Sequence, residues 1–362
     1  MNTYIYGAGN NGGIVLKLIR EIYDTNIKIC GFIDKEKRGL IEGVPIYSID
    51  SIEVENIQVI IAIGIFDIAV EVWKYLKEKG CKQIYWFQGE RIVFHRDFYE
   101  EQCVSCEGWG EEMLKHVEMH VMDACNLNCR GCTHFSPIFN YEVPERKDRI
   151  NDVRRLSKKV SHIVRFYLLG GEPFLNPEIS DYVKEVREVL PYSEIYIVTN
   201  GLLIPKVNDM TLRTIKEERV KISISEYKPT HENIEEIKKR LDEYEIIYEI
   251  RDWPTKLNFN LPLVLNTDND YPKLCISNGC VNIWNGKISR CPTLMYIDRF
   301  NEYFGTQLPN DGIMQLEECP SGKELVDALK KNVALCEHCI KNEIEWSICG
   351  KKAELHDFAV EK

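Results

Sequence analysis

Long hydrophobic runs are missing from this chain. The most apolar stretch lies near Val59–Phe66, far short of the ~20 residues that cross a bilayer. The start, Met1-Asn2-Thr3-Tyr4-Ile5-Tyr6-Gly7, lacks the basic and then apolar regions of an export signal. The expectation is therefore a cytoplasmic protein. No internal repeat and no low-complexity tract interrupts the sequence. An excess of positive charge is also missing. There are 46 Lys and Arg against 57 Asp and Glu, a formal net charge of -11. That balance argues against a nucleic-acid backbone or an anionic membrane surface as partner, since both want a basic face.

What is present is a globular composition, with 44% hydrophobic and 28% charged residues. A length of 362 residues implies two or three domains. Fourteen cysteines are the strongest signal, and they are clumped. Seven lie between Cys275 and Cys349, three between Cys125 and Cys132, and two at Cys103 and Cys106. Cys30 and Cys81 stand apart and read as small buried hydrophobes. Without an export signal, metal or cluster ligation fits better than disulfides.

The pattern divides the chain into four stretches. Residues 1–92 alternate strand and helix: strands at Asn2–Tyr6, Lys28–Ile33, Gln58–Ile63 and Lys82–Phe87, and a helix at Val70–Lys79 stopped by Gly80. This alternation predicts a parallel sheet covered by helices. Residues 93–115 show no period and read as a linker. Residues 116–262 alternate again, with five or six βα units, which predicts a partial (β/α)6 barrel. The polar motifs fall at the carboxyl ends of its strands, where such sheets carry their sites. Residues 263–362 hold half of the cysteines and lose the alternation. They begin with a predicted hairpin around Asn285-Gly286, a turn needing positive φ at both positions, which sets Cys280 opposite Cys291.

Cys125-Asn126-Leu127-Asn128-Cys129-Arg130-Gly131-Cys132 is a Cys-x3-Cys-x2-Cys run after a strand. Three thiolates hold three irons of a [4Fe–4S] cube and leave the fourth iron to another ligand. Zinc stays open, with His134 as its fourth ligand. The spacing resembles the signature of the radical S-adenosylmethionine (SAM) superfamily. That resemblance implies SAM on the unique iron, and cleavage of SAM to a 5′-deoxyadenosyl radical that takes a hydrogen atom from substrate. Further motifs follow in the family's order. Gly170-Gly171-Glu172-Pro173 resembles the motif that binds the methionine ammonium, with a direct role for Glu172. Thr199-Asn200-Gly201 resembles the polar end of the third strand. Ser223 and Ser225, two apart and so on one face, resemble the ribose and carboxylate contacts of the fourth. The residue before the third cysteine is usually aromatic in that family. Here it is Gly131, and Phe135 is expected to take over the adenine contact.

Cys275, Gly286, Cys291, Cys336 and Cys339 resemble the twitch form of the SPASM extension, which implies an auxiliary [4Fe–4S] cluster on four cysteines. Cys280 competes with Cys275 as a ligand, and a zinc ribbon is the alternative. Gly7-Ala8-Gly9-Asn10-Asn11-Gly12 follows a strand, opens a helix and precedes Asp34. That is the context of a dinucleotide fingerprint, with phosphate at the helix amino terminus and ribose on Asp34. The segment resembles small nucleotide-sugar-binding domains of surface-glycan biosynthesis, which implies NAD or a nucleotide sugar as ligand.

The fold class expected is thus α/β: a Rossmann-like domain, a partial radical SAM barrel, and a cysteine-rich twitch/SPASM-like domain. The function expected is hydrogen abstraction from a sugar, polyol or nucleotide-linked sugar, ending in dehydrogenation or epimerisation. Cys319 and Cys349 are the candidate hydrogen-atom donors for epimerisation. A flavodoxin or ferredoxin would supply the electron. The alternatives are a peptide-modifying radical SAM maturase and a zinc-bearing, non-catalytic nucleotide-sugar sensor.

Overall fold

In the computed structural model, residues 2–23, 26–89, 97–251, 258–268, 270–275 and 279–361 are described. Two compact units divide at Trp109 and Gly110.

The first unit is built on one seven-stranded sheet. Its strands are β1 (Asn2–Tyr6), β2 (Lys28–Ile33), β3 (Gly39–Ile41), β4 (Val44–Tyr47), β5 (Gln58–Ile61), β6 (Gln83–Phe87) and β7 (Cys103–Ser105). The order is β3-β4-β2-β1-β5-β6-β7. The five inner strands run parallel, and β3 and β7 close the edges antiparallel. Val59, Ile60 and Ile61 are fully buried, as a central parallel strand requires. Helix α1 (Asn10–Lys17) continues as a π-helical turn, and α2 (Phe66–Glu78) buries Ala69, Val72, Trp73 and Leu76.

The expected linker, 93–115, is corrected by this unit. Phe98–Gln102 is a helix, α3, whose first turn is capped by Asp97 accepting from Glu100 N. It leads into β7, which pairs with β6 and buries Cys103 and Val104. The pairing supplies the hydrogen bonds that an edge at β6 would otherwise lack. Residues 90–92 and 93–96 of the expected boundary lie outside the described residues.

The second unit is organised by an eight-stranded sheet, β12-β11-β10-β9-β8-β15-β16-β17. Five strands are parallel in chain order: β8 (Met113–Met122), β9 (His162–Gly170), β10 (Glu194–Thr199), β11 (Lys221–Ser225) and β12 (Tyr248–Arg251). Helices α4 (Arg146–Ser157), α5 (Ile179–Val189), α6 (Asp209–Glu217), α7 (Lys228–Glu232) and α8 (Ile234–Glu243) connect them. Each of the longer helices faces the sheet with one apolar stripe. On α5, Ile179, Tyr182, Val183 and Val186 are buried at i, i+3, i+4 and i+7. Burying each of those side chains stabilises by about 1.5–3 kcal/mol.

Short strands β13 (Asn258–Asn260) and β14 (Leu263–Val264) follow. The sixth parallel strand is not a further βα unit. It is β15 (Val281–Trp284), which pairs with β8 on the opposite edge from β12. Strand β16 (Lys287–Ser289) turns back from it and pairs with β17 (Met314–Gln315). Asn285 and Gly286 both have positive φ, 48° and 74°, the two-residue turn the sequence predicts. No unit boundary falls at 262/263, because β15 and β16 belong to the same sheet as β8–β12. Two small ladders pin the remaining chain: β13 with β18 (Glu343–Glu345), and β14 with β19 (Ala359–Val360). No helix among the described residues is long and apolar enough to cross a membrane.

Candidate functional site

Strand β8 ends at Met122, and the chain then turns through the cysteine loop. Asn128 and Gly131 adopt positive φ there, 51° and 69°. A Cβ on Gly131 would meet the Asn260 carbonyl oxygen at 2.6 Å. The close passage of β13 explains why no aromatic side chain stands at this position. Three backbone bonds clamp the loop from the C-terminal segment: Arg130 N to Ser347 O, Gly131 N to Asp357 O, and Cys349 N to Asn128 O.

Cys125, Cys129 and Cys132 line one cavity of about 490 Å³ at the carboxyl ends of the strands. Gly170, Gly171, Thr199, Asn200 and Ser225 share its wall. A Cβ on Gly171 would stand 2.0 Å from the Ala124 oxygen, so only glycine lets β9 pass the start of the cysteine loop. Burial pushes the Cys125 thiol up to about 12 and raises that of Cys129. Buried thiols ionise only against a compensating cation, which iron or zinc supplies. Trp346 Nε1 donates to Cys129 Sγ at 3.2 Å. Ser136 is on the same wall, and its hydroxyl is buried without a partner. These residues fit a thiolate-held cluster with SAM beside it.

Four residues expected to touch SAM do not line this cavity. Glu172 is fully buried and does not line the cavity; it accepts from Thr199 Oγ1 at 2.7 Å, Asn200 N at 3.0 Å and Phe174 N at 3.1 Å. It ties the end of β9 to the end of β10 and is a positioning residue. Burial pushes its carboxyl up to about 7, against the pull of those three donors. Pro173 is buried in the turn that follows. Ser223 donates to Glu249 Oε1 at 2.8 Å and accepts from Arg251 Nε at 3.0 Å, so of the two serines Ser225 alone lines the cavity. Phe135 is fully buried against Phe300 and Phe358 in the C-terminal core, because its positive φ of 51° turns it away from the loop. Aromatic walls come instead from Tyr227 and Phe259, their rings 5.8 Å apart. Tyr227 also stacks on Trp346 at 5.7 Å.

The C-terminal thiols separate into groups. Cys291 and Cys339 each sit within electrostatic reach of Cys275 and Cys336, and burial raises them to about 11 and about 12. Arg290 Nη1 donates to Cys336 Sγ at 3.3 Å. Cys280 lines the main cavity while staying within electrostatic reach of Cys291. Cys319 is buried with its thiol on the Leu316 oxygen, and Cys349 is buried behind the cysteine loop. Neither lines the cavity, which removes the geometric support for them as hydrogen-atom donors.

Sequence reasoning missed the inner face of β8. His116, Glu118 and His120 alternate along it, a His-x-Glu-x-His signal visible in the sequence. His116 Nε2 and Asn282 Nδ2 donate to Glu118 at 2.7 and 2.8 Å. Burial raises the Glu118 carboxyl, but these bonds outweigh it and bring it down to about 2. His134, weighed as a zinc ligand of the cysteine loop, instead bonds His120 Nε2 through Nδ1 at 2.7 Å. Burial lowers His134 to about 3 and lowers His120 as well.

In the first unit, Gly7 has φ of 108°, and a Cβ on Gly12 would meet the Gly7 oxygen at 2.1 Å. Gly9 caps α1. Asp34, expected to hold a ribose, accepts from Ala8 N at 2.9 Å and from Glu36 N and Lys37 N at 3.0 Å. It braces the glycine turn. Burial raises its carboxyl, and those amides more than offset this, leaving it below its ordinary value.

Comparison with known proteins agrees with the thiol geometry. The model of the radical SAM superfamily matches residues 119–270. A GTP 3′,8-cyclase of Clostridium acetobutylicum is 29% identical over 154 residues, covering 40% of this chain and 46% of that protein. One from Aquifex aeolicus is 22% identical over 166 residues, covering 43% and 50%. The chain thus spans half or less of the length of these relatives. Among solved structures, BtrN in complex with AdoMet and 2-DOIA aligns over 64% of this chain and 93% of its own, with 15% identity and a TM-score of 0.37. The anSMEcpe structure with bound AdoMet and the Cp18Cys peptide covers 38% and 42%, with 18% identity and a TM-score of 0.31. At these scores the structural likenesses assign no ligand to this chain. On the sequence match, residues 119–270 of this chain, less than half of its length, resemble the radical SAM superfamily.

Proposed function

We propose that the second unit is a radical SAM oxidoreductase or isomerase acting on a small hydroxyl-rich molecule: a sugar, a polyol or a nucleotide-linked sugar. The observation that carries this reading is the convergence of Cys125, Cys129 and Cys132 on one cavity with Gly170, Gly171 and Asn200. When bound there, the cluster and SAM supply one-electron chemistry that removes a hydrogen atom from the substrate. The chain's own residues hold and orient. Three thiolates leave one cluster position open. Tyr227 and Phe259 offer a stacking wall. Ser225 and Asn200 line the cavity with hydrogen-bonding groups.

The lining favours hydroxyls over polyphosphate. Among the described lining residues Arg251 is the one guanidinium and there is no lysine, while Glu118 adds a negative charge. A nucleoside triphosphate, the substrate named in the GTP 3′,8-cyclase relatives, is the second reading, favoured by the sequence match and disfavoured by this charge.

Cys275, Cys291, Cys336 and Cys339 are proposed to carry the auxiliary cluster. Cys291 and Cys339 each lie within electrostatic reach of Cys275 and Cys336, which supports one site built from the four thiols. A flavodoxin or ferredoxin is proposed as electron donor. The glycine turn of the first unit is proposed to seat the phosphate of NAD or a nucleotide sugar at the amino terminus of α1.

The test is anaerobic reconstitution, iron and sulfide counting, and incubation with dithionite and SAM. About eight irons are expected for two cubes, with 5′-deoxyadenosine formed by the native chain and lost when Cys125, Cys129 and Cys132 are changed to Ala. Equal 5′-deoxyadenosine from that variant, or none from either, overturns the reading. A ketone product marks dehydrogenation, and solvent deuterium in an unoxidised product marks epimerisation.

A further inference from the structure

The polar face of β8 has no part in the cluster or SAM assignment. His116 and Glu118 lie two apart on β8 and point to the cavity side, while Val117 and Met119 fill the core behind them. Strand β15 pairs in parallel with β8, Val281 beside Val117. Cys280, one residue earlier, therefore arrives beside His116. The donor atoms of His116, Glu118 and Cys280 lie within 4.8 Å of one another. An imidazole nitrogen, a carboxylate oxygen and a thiol sulphur form a donor set that suits zinc. The surroundings fix these side chains as an outer shell fixes metal ligands. Asn282 Nδ2 holds Glu118 Oε2 at 2.8 Å, and the His116 ring stacks on Tyr167 at 4.0 Å.

A second group closes on the same place. His134 Nδ1 lies 2.7 Å from His120 Nε2, and this holds its other ring nitrogen, Nε2, 3.8 Å from Glu118 Oε2.

We propose that His116, Glu118 and Cys280, with His134 as a fourth donor, bind one zinc-like divalent cation on the cavity wall. It is separate from both thiol sets and does not depend on the radical reading. The ion would expand its coordination toward the cavity and take an oxygen donor there, a hydroxyl of the ligand.

The experiment uses the full chain, reconstituted with iron and sulfide without oxygen, then given one equivalent of zinc and desalted. Zinc, iron and sulfide are counted in the same sample, and the zinc environment is read by X-ray absorption at the zinc edge. The result expected is one zinc per chain with a single sulphur neighbour among nitrogen and oxygen. Cys280→Ser and Glu118→Gln should each weaken zinc binding at least about tenfold, with iron and sulfide unchanged. No bound zinc, an all-sulphur environment, or the same zinc content in both variants overturns the proposal. If a variant also loses iron, the native chain's sulphur count decides by itself. Loss of iron from the native chain would strike the cluster reading and leave the zinc result standing.

Discussion

Replacing Glu172 by glutamine removes a charge from inside the second unit while keeping the shape of the side chain. The carboxyl is fully buried, and burial pushes it up to about 7 from an ordinary 4.5. A group raised in this way binds its proton more tightly in the folded state. The stability it lends is whole below about pH 4.5 and is lost as pH rises through about 7. At 1.36 kcal/mol per unit, the native chain should lose about 2.5 kcal/mol from this group between pH 5 and pH 8. Glutamine does not titrate, so Glu172→Gln escapes that loss. It carries a cost of its own, because an amide NH2 cannot accept from both Thr199 and the Asn200 amide. One lost bond with a donor left buried costs about 1–3 kcal/mol. The variant should therefore be the less stable protein at pH 5, and the gap should close or invert by pH 8. Urea unfolding of both chains across this range, fitted to the transition of the second unit, measures the gap. A gap that does not change with pH would refute the burial argument for Glu172.

Other outcomes follow from the same geometry. Gly171→Ala places a methyl 2.0 Å from the Ala124 oxygen, so the cysteine loop must shift; a loss of about 1–3 kcal/mol and a drop in bound iron are expected, read by melting and iron assay. Trp346→Phe removes the 3.2 Å bond to Cys129 Sγ. The potential of the cluster proposed there should fall, because hydrogen bonds to the sulphurs favour the reduced form; a potentiometric titration followed by electron paramagnetic resonance checks it. Asp34→Asn weakens the brace on the glycine turn by about 1–3 kcal/mol, and faster hydrogen exchange at the Ala8 amide would report it. The native brace is present above the ordinary carboxylate range and is lost as pH falls through the lowered value.

Local signals carried most of the reading of the sequence. Strand spacing and the Asn285-Gly286 turn survive because period and turn chemistry are set by neighbours in the chain. The Cys-x3-Cys-x2-Cys run is legible for the same reason. What escaped is set by distant partners. Phe135 follows the cysteines closely, yet it packs on Phe300 and Phe358. Tyr227, Phe259 and Trp346 come from three separate segments, and no spacing rule links them. Glu172 has the expected position but a different task, because its oxygens are taken by Thr199 and Asn200, which sequence places 27 and 28 residues away. The short helix at Phe98–Gln102 was missed although Asp97 and Glu100 form the start of a capping pattern; five residues are too few to show a period.

Strand β15 completes the sheet from a great distance along the chain, with Asn282 reaching Glu118 across 164 residues. During synthesis at about 5–20 residues per second, roughly 10–30 s separate the emergence of the two strands. Through that interval β9 can pair with one side of β8, while the other side presents unpaired amides and carbonyls along an apolar strand. Such an edge recruits other chains. Strand β15 therefore serves the nascent polypeptide as an edge guard for β8.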